Sequence, residues 1–270
     1  MYSMISASSK NWVDSHFHVF HAGEALAGAR YVPHYSATLP DWQAQAAQVG
    51  VRRGVCVQPS FLGTDNHLML QALQAHPELL RGVAVVAADT PPAVLRDMHA
   101  SGVRGIRLNL SGVSHAIPQW TGADALWQTL HELGWHLEVH TDPGCLPQVL
   151  TQLPTEIPLV ADHMAKPAQA HPSDASIQAL VQRAASTPTY VKLSGAYRLG
   201  TVDAAALAHL WCQALGAQAL LWGSDWPCTN HEHLANYEAL FAAVETWVGP
   251  EHGDQVLRQN PERLYGFQAS

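Results

Sequence analysis

The chain has 270 residues, 47% of them hydrophobic and only 13% charged, enough apolar content for a large core. A net charge of −8 with no Lys/Arg run argues against nucleic acid and anionic membrane as partners, and no stretch approaches the ~20 apolar residues of a bilayer span. The polar start at 1–10 lacks a secretory signal, and Cys56, Cys145, Cys212 and Cys228 form no C-x-x-C pair, so a cytoplasmic protein without a thiolate metal site is expected.

In chain order, apolar runs with strand character lie at 12–18, 53–58, 82–87, 103–109, 135–140, 157–162, 189–194 and 219–224. Helical patterns rich in Ala, Leu and Gln lie between them, at 41–49, 64–76, 91–101, 123–133, 145–153, 174–186, 203–215 and 232–247. Asp174, with Ser173, and Asp203 are expected helix caps. The alternation implies parallel βαβ units, and eight of them over residues 1–270 match a single-domain (β/α)8 TIM barrel. A doubly wound sheet is the rival, but no G-x-G-x-x-G follows any strand. Trp42, Trp127, Trp211 and Trp247 are expected in the core, with a homo-oligomer contact as the alternative.

A barrel carries its reactive groups at the C-terminal ends of its strands. Polar residues stand there in most units. His16 and His18 follow the first strand, Gln58 and Ser60 the second, Arg107 and Asn109 the fourth. His136, Glu138 and His140 share one face of the fifth, Asp162-His163 ends the sixth, and Ser194-Gly195-Ala196-Tyr197-Arg198 the seventh. The eighth runs out into Ser224-Asp225-Trp226-Pro227.

Strand alternation sets His16 and His18 on one face, about 7 Å apart along the chain, with Phe17 opposite. Such a pair can share a metal or grip a substrate oxygen. With 17 histidines one His-x-His is expected by chance, and a second does occur at His231 and His233, where a solvated face is the better reading. Asp225 can act as a general base on water, or cap a helix. His163 converges on the same mouth, and Asp162 beside it is expected to point away as a structural acid. Gly105, Arg107 and Asn109 are expected to face the lumen, where Arg107 needs a carboxylate from substrate or protein. Arg198 offers a second guanidinium. Glu138 and His140 stay open between metal ligand, proton relay and partner of Arg107, and a Lys192–Glu138 pair is a structural alternative.

These motifs together resemble the amidohydrolase superfamily, in the branch of 2-pyrone-4,6-dicarboxylate lactonases and related sugar-acid and muconolactone hydrolases. The matching stretches are Asp14-Ser15-His16-Phe17-His18, Gly105-Ile106-Arg107-Leu108-Asn109, Ala161-Asp162-His163-Met164, Lys192-Leu193-Ser194-Gly195 and Trp222-Gly223-Ser224-Asp225-Trp226-Pro227, with the tail Asn260-Pro261-Glu262-Arg263-Leu264-Tyr265-Gly266-Phe267. The resemblance implies hydrolysis of a cyclic ester, with His16, His18, His163 and Asp225 as the catalytic group. It also implies Arg107, Arg198 and Ser60 as grips for a substrate carboxylate, joined by Asn109, Glu138 and His140 in binding the rest.

Metal use differs within the branch. Either one zinc or manganese ion sits on His16, His18 and Asp225, or there is none. The pyrone lactonases carry a second arginine shortly after the one matching Arg107, whereas Ser111-Gly112-Val113-Ser114-His115 holds no Arg or Lys. That departure favours a lactone with one carboxylate, or a neutral sugar lactone bound through Glu138. A decarboxylase of an unsaturated or aromatic acid is the alternative activity.

Overall fold

The computed structural model describes residues 11–234 and 236–268; the polar start at 1–10 lies outside them. The expected barrel forms. Strands β1 (Trp12–Phe17), β2 (Val51–Val57), β3 (Leu80–Ala84), β4 (Val103–Asn109), β5 (His136–His140), β6 (Leu159–Ala161), β7 (Thr189–Leu193) and β8 (Leu220–Trp222) pair in sequence order, all parallel. Outside them run α1 (Leu39–Gln48), α2 (His67–Ala75), α3 (Pro92–Ala100), α4 (Asp124–Glu132), α5 (Leu146–Leu150), α6 (Ala175–Ala184), α7 (Ala204–Leu215) and α8 (Tyr237–Val248). No helix among the described residues is long and apolar enough to cross a membrane.

Each strand sorts its side chains by the pleat. Val13, Val55, Val57, Val83, Val160 and Leu221 fill the lumen with Tyr265 and Phe267 of the tail, while Ile106, Leu137, Ala161, Val191 and Trp222 meet the helices. Trp42, Trp211 and Trp247 are buried and Trp127 is half-buried against the same core, as expected. A last helix, α9 (Asn260–Tyr265), plugs the barrel floor. Its Glu262 pairs with Arg53 at 2.6 Å, and Arg53 and Arg81, from the first turns of β2 and β3, stack on Phe267. Only the opposite end, where the strands finish, stays open.

Differences from the expected boundaries have local causes. Strand β3 stops at Ala84, short of 87, because the Asn66 amide takes both backbone groups of Val85. Helix α8 begins at Tyr237 rather than 232, since the Asn236 side chain caps Ala239 N and residues 232–234 form a separate turn. Asp174 and Asp203 cap α6 and α7 as anticipated.

The seam between β1 and β8 closes through the Asp14 carboxylate. Oδ1 accepts from the backbone of His16 (3.1 Å) and Ser224 (2.8 Å). Oδ2 accepts from Trp42 Nε1 (2.9 Å), Ser224 Oγ (2.6 Å) and Tyr237 OH (2.9 Å). Two strands and two helices therefore hang on one fully buried acid. Asp14→Asn turns an acceptor edge into an NH2 group facing donors, so it is expected to cost about 3 kcal/mol in urea unfolding, the scale of leaving buried donors unpaired. A loss below about 0.5 kcal/mol, the level of an ordinary surface substitution, would contradict this role.

Candidate active site

A β-bulge carries the first two histidines into place. Asp14 pairs with Gly54 and Phe17 with Cys56, so β1 holds one residue more than β2 across this span. Asp14 and Phe17 consequently both face the helices, Phe17 stacking on Trp42 at 4.0 Å, while His16 turns into the lumen. Backbone bonds across the seam, Asp225 N to His16 O and His18 N to Trp226 O, both 2.9 Å, bring the end of β8 alongside. Gly223 permits the approach, because a Cβ there would lie 2.5 Å from His16 Cβ.

Four predicted residues meet at the mouth. Asp225 Oδ1 stands 3.4 Å from His18 Nε2, 3.6 Å from His16 Nε2 and 4.0 Å from His163 Nε2. Above them opens a cavity of about 520 Å³, lined by His18, His163 and Asp225 and by all but one of the predicted binding residues, Ser60, Arg107, Asn109, His140 and Arg198. His16 lies directly beneath the floor, fully buried.

Glu138 is the exception and does not line the cavity. Its buried carboxylate takes a short ion pair from Lys192, with His136 Nε2 at 3.8 Å and Arg107 Nε at 3.7 Å, so it balances charge below the site. Asp162 also departs from expectation. It points inward, accepts from Arg107 Nε at 2.9 Å and approaches His16 Nδ1 to 3.2 Å. The reason is local: Asp162 continues the phase of Val160, and a left-handed step at His163 (φ +49) then swings the next side chain inward too. That turn runs through four residues, His163 to Lys166, all at positive φ. In the His231–His233 segment Glu232 and His233 are exposed, and Glu232 accepts from Tyr35 OH at 2.7 Å.

Lys166 escaped the sequence reading, and Tyr197, placed there at the end of the seventh strand, was given no role. Tyr197 OH donates to Asp225 Oδ2 at 2.7 Å, beside Arg198 Nε at the same distance. Burial pushes the Asp225 carboxyl up, but the Arg198 guanidinium and the imidazoles outweigh it and hold Asp225 well below the usual carboxylate range. Burial pushes His163 and His140 well below the usual imidazole range, and burial with the Lys192 ammonium pushes His16 down to about 3. The carboxylate thus stands beside two imidazoles, His16 and His163, that burial keeps neutral near pH 7.

Hydrogen bonds assign the ring tautomers. Val57 O accepts from His18 Nδ1 at 2.7 Å, so that nitrogen carries a proton and Nε2 faces the carboxylate at 3.4 Å. His16 Nδ1 has a donor in Lys192 (3.1 Å) and an acceptor in Asp162, so its Nε2 can carry a proton or a lone pair. A metal fits this set. Two imidazoles and a carboxylate suit zinc or manganese, and separations of 3.3, 3.4 and 3.6 Å among His16, His18 and Asp225 compare with about 3.3–3.4 Å for the edge of a tetrahedron of about 2.0–2.1 Å bonds. Asp162 would then orient His16 through Nδ1–H.

The amidohydrolase family model matches residues 13–267, and the chain belongs to that family. A 2-pyrone-4,6-dicarboxylate hydrolase of Comamonas testosteroni is 29% identical over 283 residues, covering 94% of this chain and 89% of that one. A 4-sulfomuconolactone hydrolase of Rhizobium radiobacter is 28% identical over 278 residues, with the same two coverages, 94% and 89%. A solved structure described as a probable 2-pyrone-4,6-dicarboxylic acid hydrolase of Acinetobacter baumannii, with citric acid bound, has a TM-score of 0.83 at 33% identity, covering 96% of this chain and 100% of that one.

Neutral buried imidazoles make stability fall in acid. The unfolded chain binds protons near pH 6.5 where native His140 and His163 do not, so each lowers stability by about 1.4 kcal/mol per pH unit below that point. His16 and His136 act in the same sense, and Asp14, raised by burial, opposes with at most one proton. Urea unfolding is therefore expected to show lower stability at pH 5 than at pH 7; equal or higher stability at pH 5 would contradict neutral imidazoles.

Proposed function

We propose that the protein hydrolyses a lactone of a small carboxylic or sugar acid, with Asp225 taking the proton from the attacking water. One observation carries the reading: a carboxylate oxygen meets three imidazole Nε2 atoms at the floor of a cavity walled by guanidinium groups. Relatives named as hydrolases of a pyrone dicarboxylate and of a sulfomuconolactone support the same class. Four free cysteines suit a reduced, cytoplasmic setting.

Arg198, Arg107, Asn109 and Ser60 orient the acid end of the substrate. Ser194 Oγ, 3.0 Å from His163 Nδ1, donates there and leaves His163 Nε2–H for the lactone carbonyl oxygen. Water attacks the carbonyl carbon while its proton passes to Asp225. The tetrahedral oxyanion rests on His163, the ring C–O bond breaks, and Asp225 returns the proton to the leaving oxygen. A low pKa makes Asp225 a weak base in the free enzyme. Substrate acid on Arg198 shares the charge that holds it down, so proton affinity rises as the cavity fills. A divalent ion on His16, His18 and Asp225 would polarise the carbonyl and make water more acidic.

Asp225→Asn is expected to lower kcat for ring opening by about 10²–10⁴-fold, the usual reach of a general base, over a panel of pyrone, muconolactone and sugar lactones. Turnover within a few-fold of wild type in a folded variant, or release of carbon dioxide in place of ring opening, would overturn the assignment. Arg198→Met is expected to move the acidic limb of the kcat/KM profile upward, because removing the cation lets the folded Asp225 pKa rise. An unmoved limb would show that Arg198 does not tune the base.

A further inference from the structure

The two oxygens of the Asp225 carboxylate keep different company. Oδ1 faces the imidazoles, 3.4 Å from His18 Nε2, 3.6 Å from His16 Nε2 and 4.0 Å from His163 Nε2. Oδ2 accepts from Tyr197 OH and from Arg198 Nε, each at 2.7 Å. Both donors stand on one turn after β7, Ala196–Arg198. Gly195 opens that turn in a left-handed conformation (φ +57), where a Cβ would lie 2.7 Å from His163 Nδ1. Ser194, one residue earlier, meets the same nitrogen at 3.0 Å. The segment 194–198 therefore holds both the base and one of the imidazoles it faces.

The two donors are not equivalent. Arg198 lines the cavity, so a substrate acid drawn to its guanidinium shares it with Asp225. Tyr197 does not line the cavity. Its ring packs beside His231, with centroids 5.1 Å apart, and the Arg198 guanidinium lies 5.2 Å from its centre. A phenol keeps its proton at neutral pH and has one to give, and here it goes to Asp225 with or without substrate.

We propose that Tyr197 is a positioning residue for ring opening, pinning Asp225 Oδ2 so that Oδ1 keeps facing the imidazoles and the attacking water. The inference rests on the lactonase reading and adds a residue to it. Two donors on one oxygen hold the carboxylate plane, whereas one leaves it free to swing about Cβ–Cγ. Misplacing a reacting group by about 1 Å can cost on the order of 10²-fold in rate.

Tyr197→Phe keeps the ring and removes only the hydroxyl. It is expected to lower kcat for ring opening about tenfold or more, the scale of one hydrogen bond to a charged group, with KM within about twofold. A loss carried by KM with kcat intact would mark a loosened wall rather than a displaced base, and overturns the proposal. So does kcat within about twofold of wild type. Crystal structures of wild type and variant read the carboxylate without turnover. The variant is expected to show Asp225 turned, with Oδ1 no longer within 4.0 Å of all three Nε2 atoms; an unmoved carboxylate overturns the proposal. Ring opening by wild type beside an unaffected variant sinks this inference and leaves the lactonase reading standing. Absence of ring opening in wild type sinks that reading, and the crystal comparison still decides whether Tyr197 places Asp225.

Discussion

The Asp14 carboxylate is the constraint from which the site follows. It is buried with no cation in ion-pair distance among the described residues, and five hydrogen bonds from strands and helices replace its hydration. His16 stands two residues after it and Asp225 one residue after its partner Ser224. Closing the seam between β1 and β8 therefore also sets the base against the imidazoles. A barrel must close somewhere, and here the closing contact is polar, short and directional. The β-bulge beside it changes which way β1 faces, so structural and reactive side chains alternate within five residues.

Beneath the floor, charge alternates in a closed group: Lys192 and Arg107 against Glu138 and Asp162. Removing one member would leave an uncompensated charge in the core, which is costlier than the pair is stabilising. The group works on the floor through His16, whose Nδ1 lies between a donor and an acceptor. The mouth also stores backbone strain. His163 to Lys166 and Asp225 occupy left-handed conformations at a cost on the order of 1 kcal/mol each, and the step at His163 brings its side chain inward beside that of Asp162.

Much of this was legible in the chain. Period-two apolar runs between Ala/Leu/Gln helices identify the barrel because both periodicities are strong, and alternation from Leu221 through Gly223 places Asp225 inward. Residues whose positions depend on non-repetitive backbone were not legible. Asp162 was assigned outward because His163 was taken as the inward member of an alternating pair; a left-handed step lets both enter. Glu138 lies on the lumen face as expected, but one layer too deep to meet substrate. Arg30, on the loop after β1, lines the cavity and donates to the Ser111 carbonyl 81 residues away, a placement that no scan near Arg107 could find. Tyr197, beside Arg198 in a short turn, was legible as a strand-end residue but not as a partner of Asp225.

The central claim is that a lactone carbonyl is attacked at the meeting point of Asp225 and the three imidazoles. A crystal structure of the Asp225→Asn protein with an unhydrolysed lactone tests it most directly. The account expects the ring carbonyl oxygen within hydrogen-bond reach of His163 Nε2, with a water between the carbonyl carbon and residue 225. A lactone bound with its carbonyl turned away from His163, toward the outer loops, would contradict it.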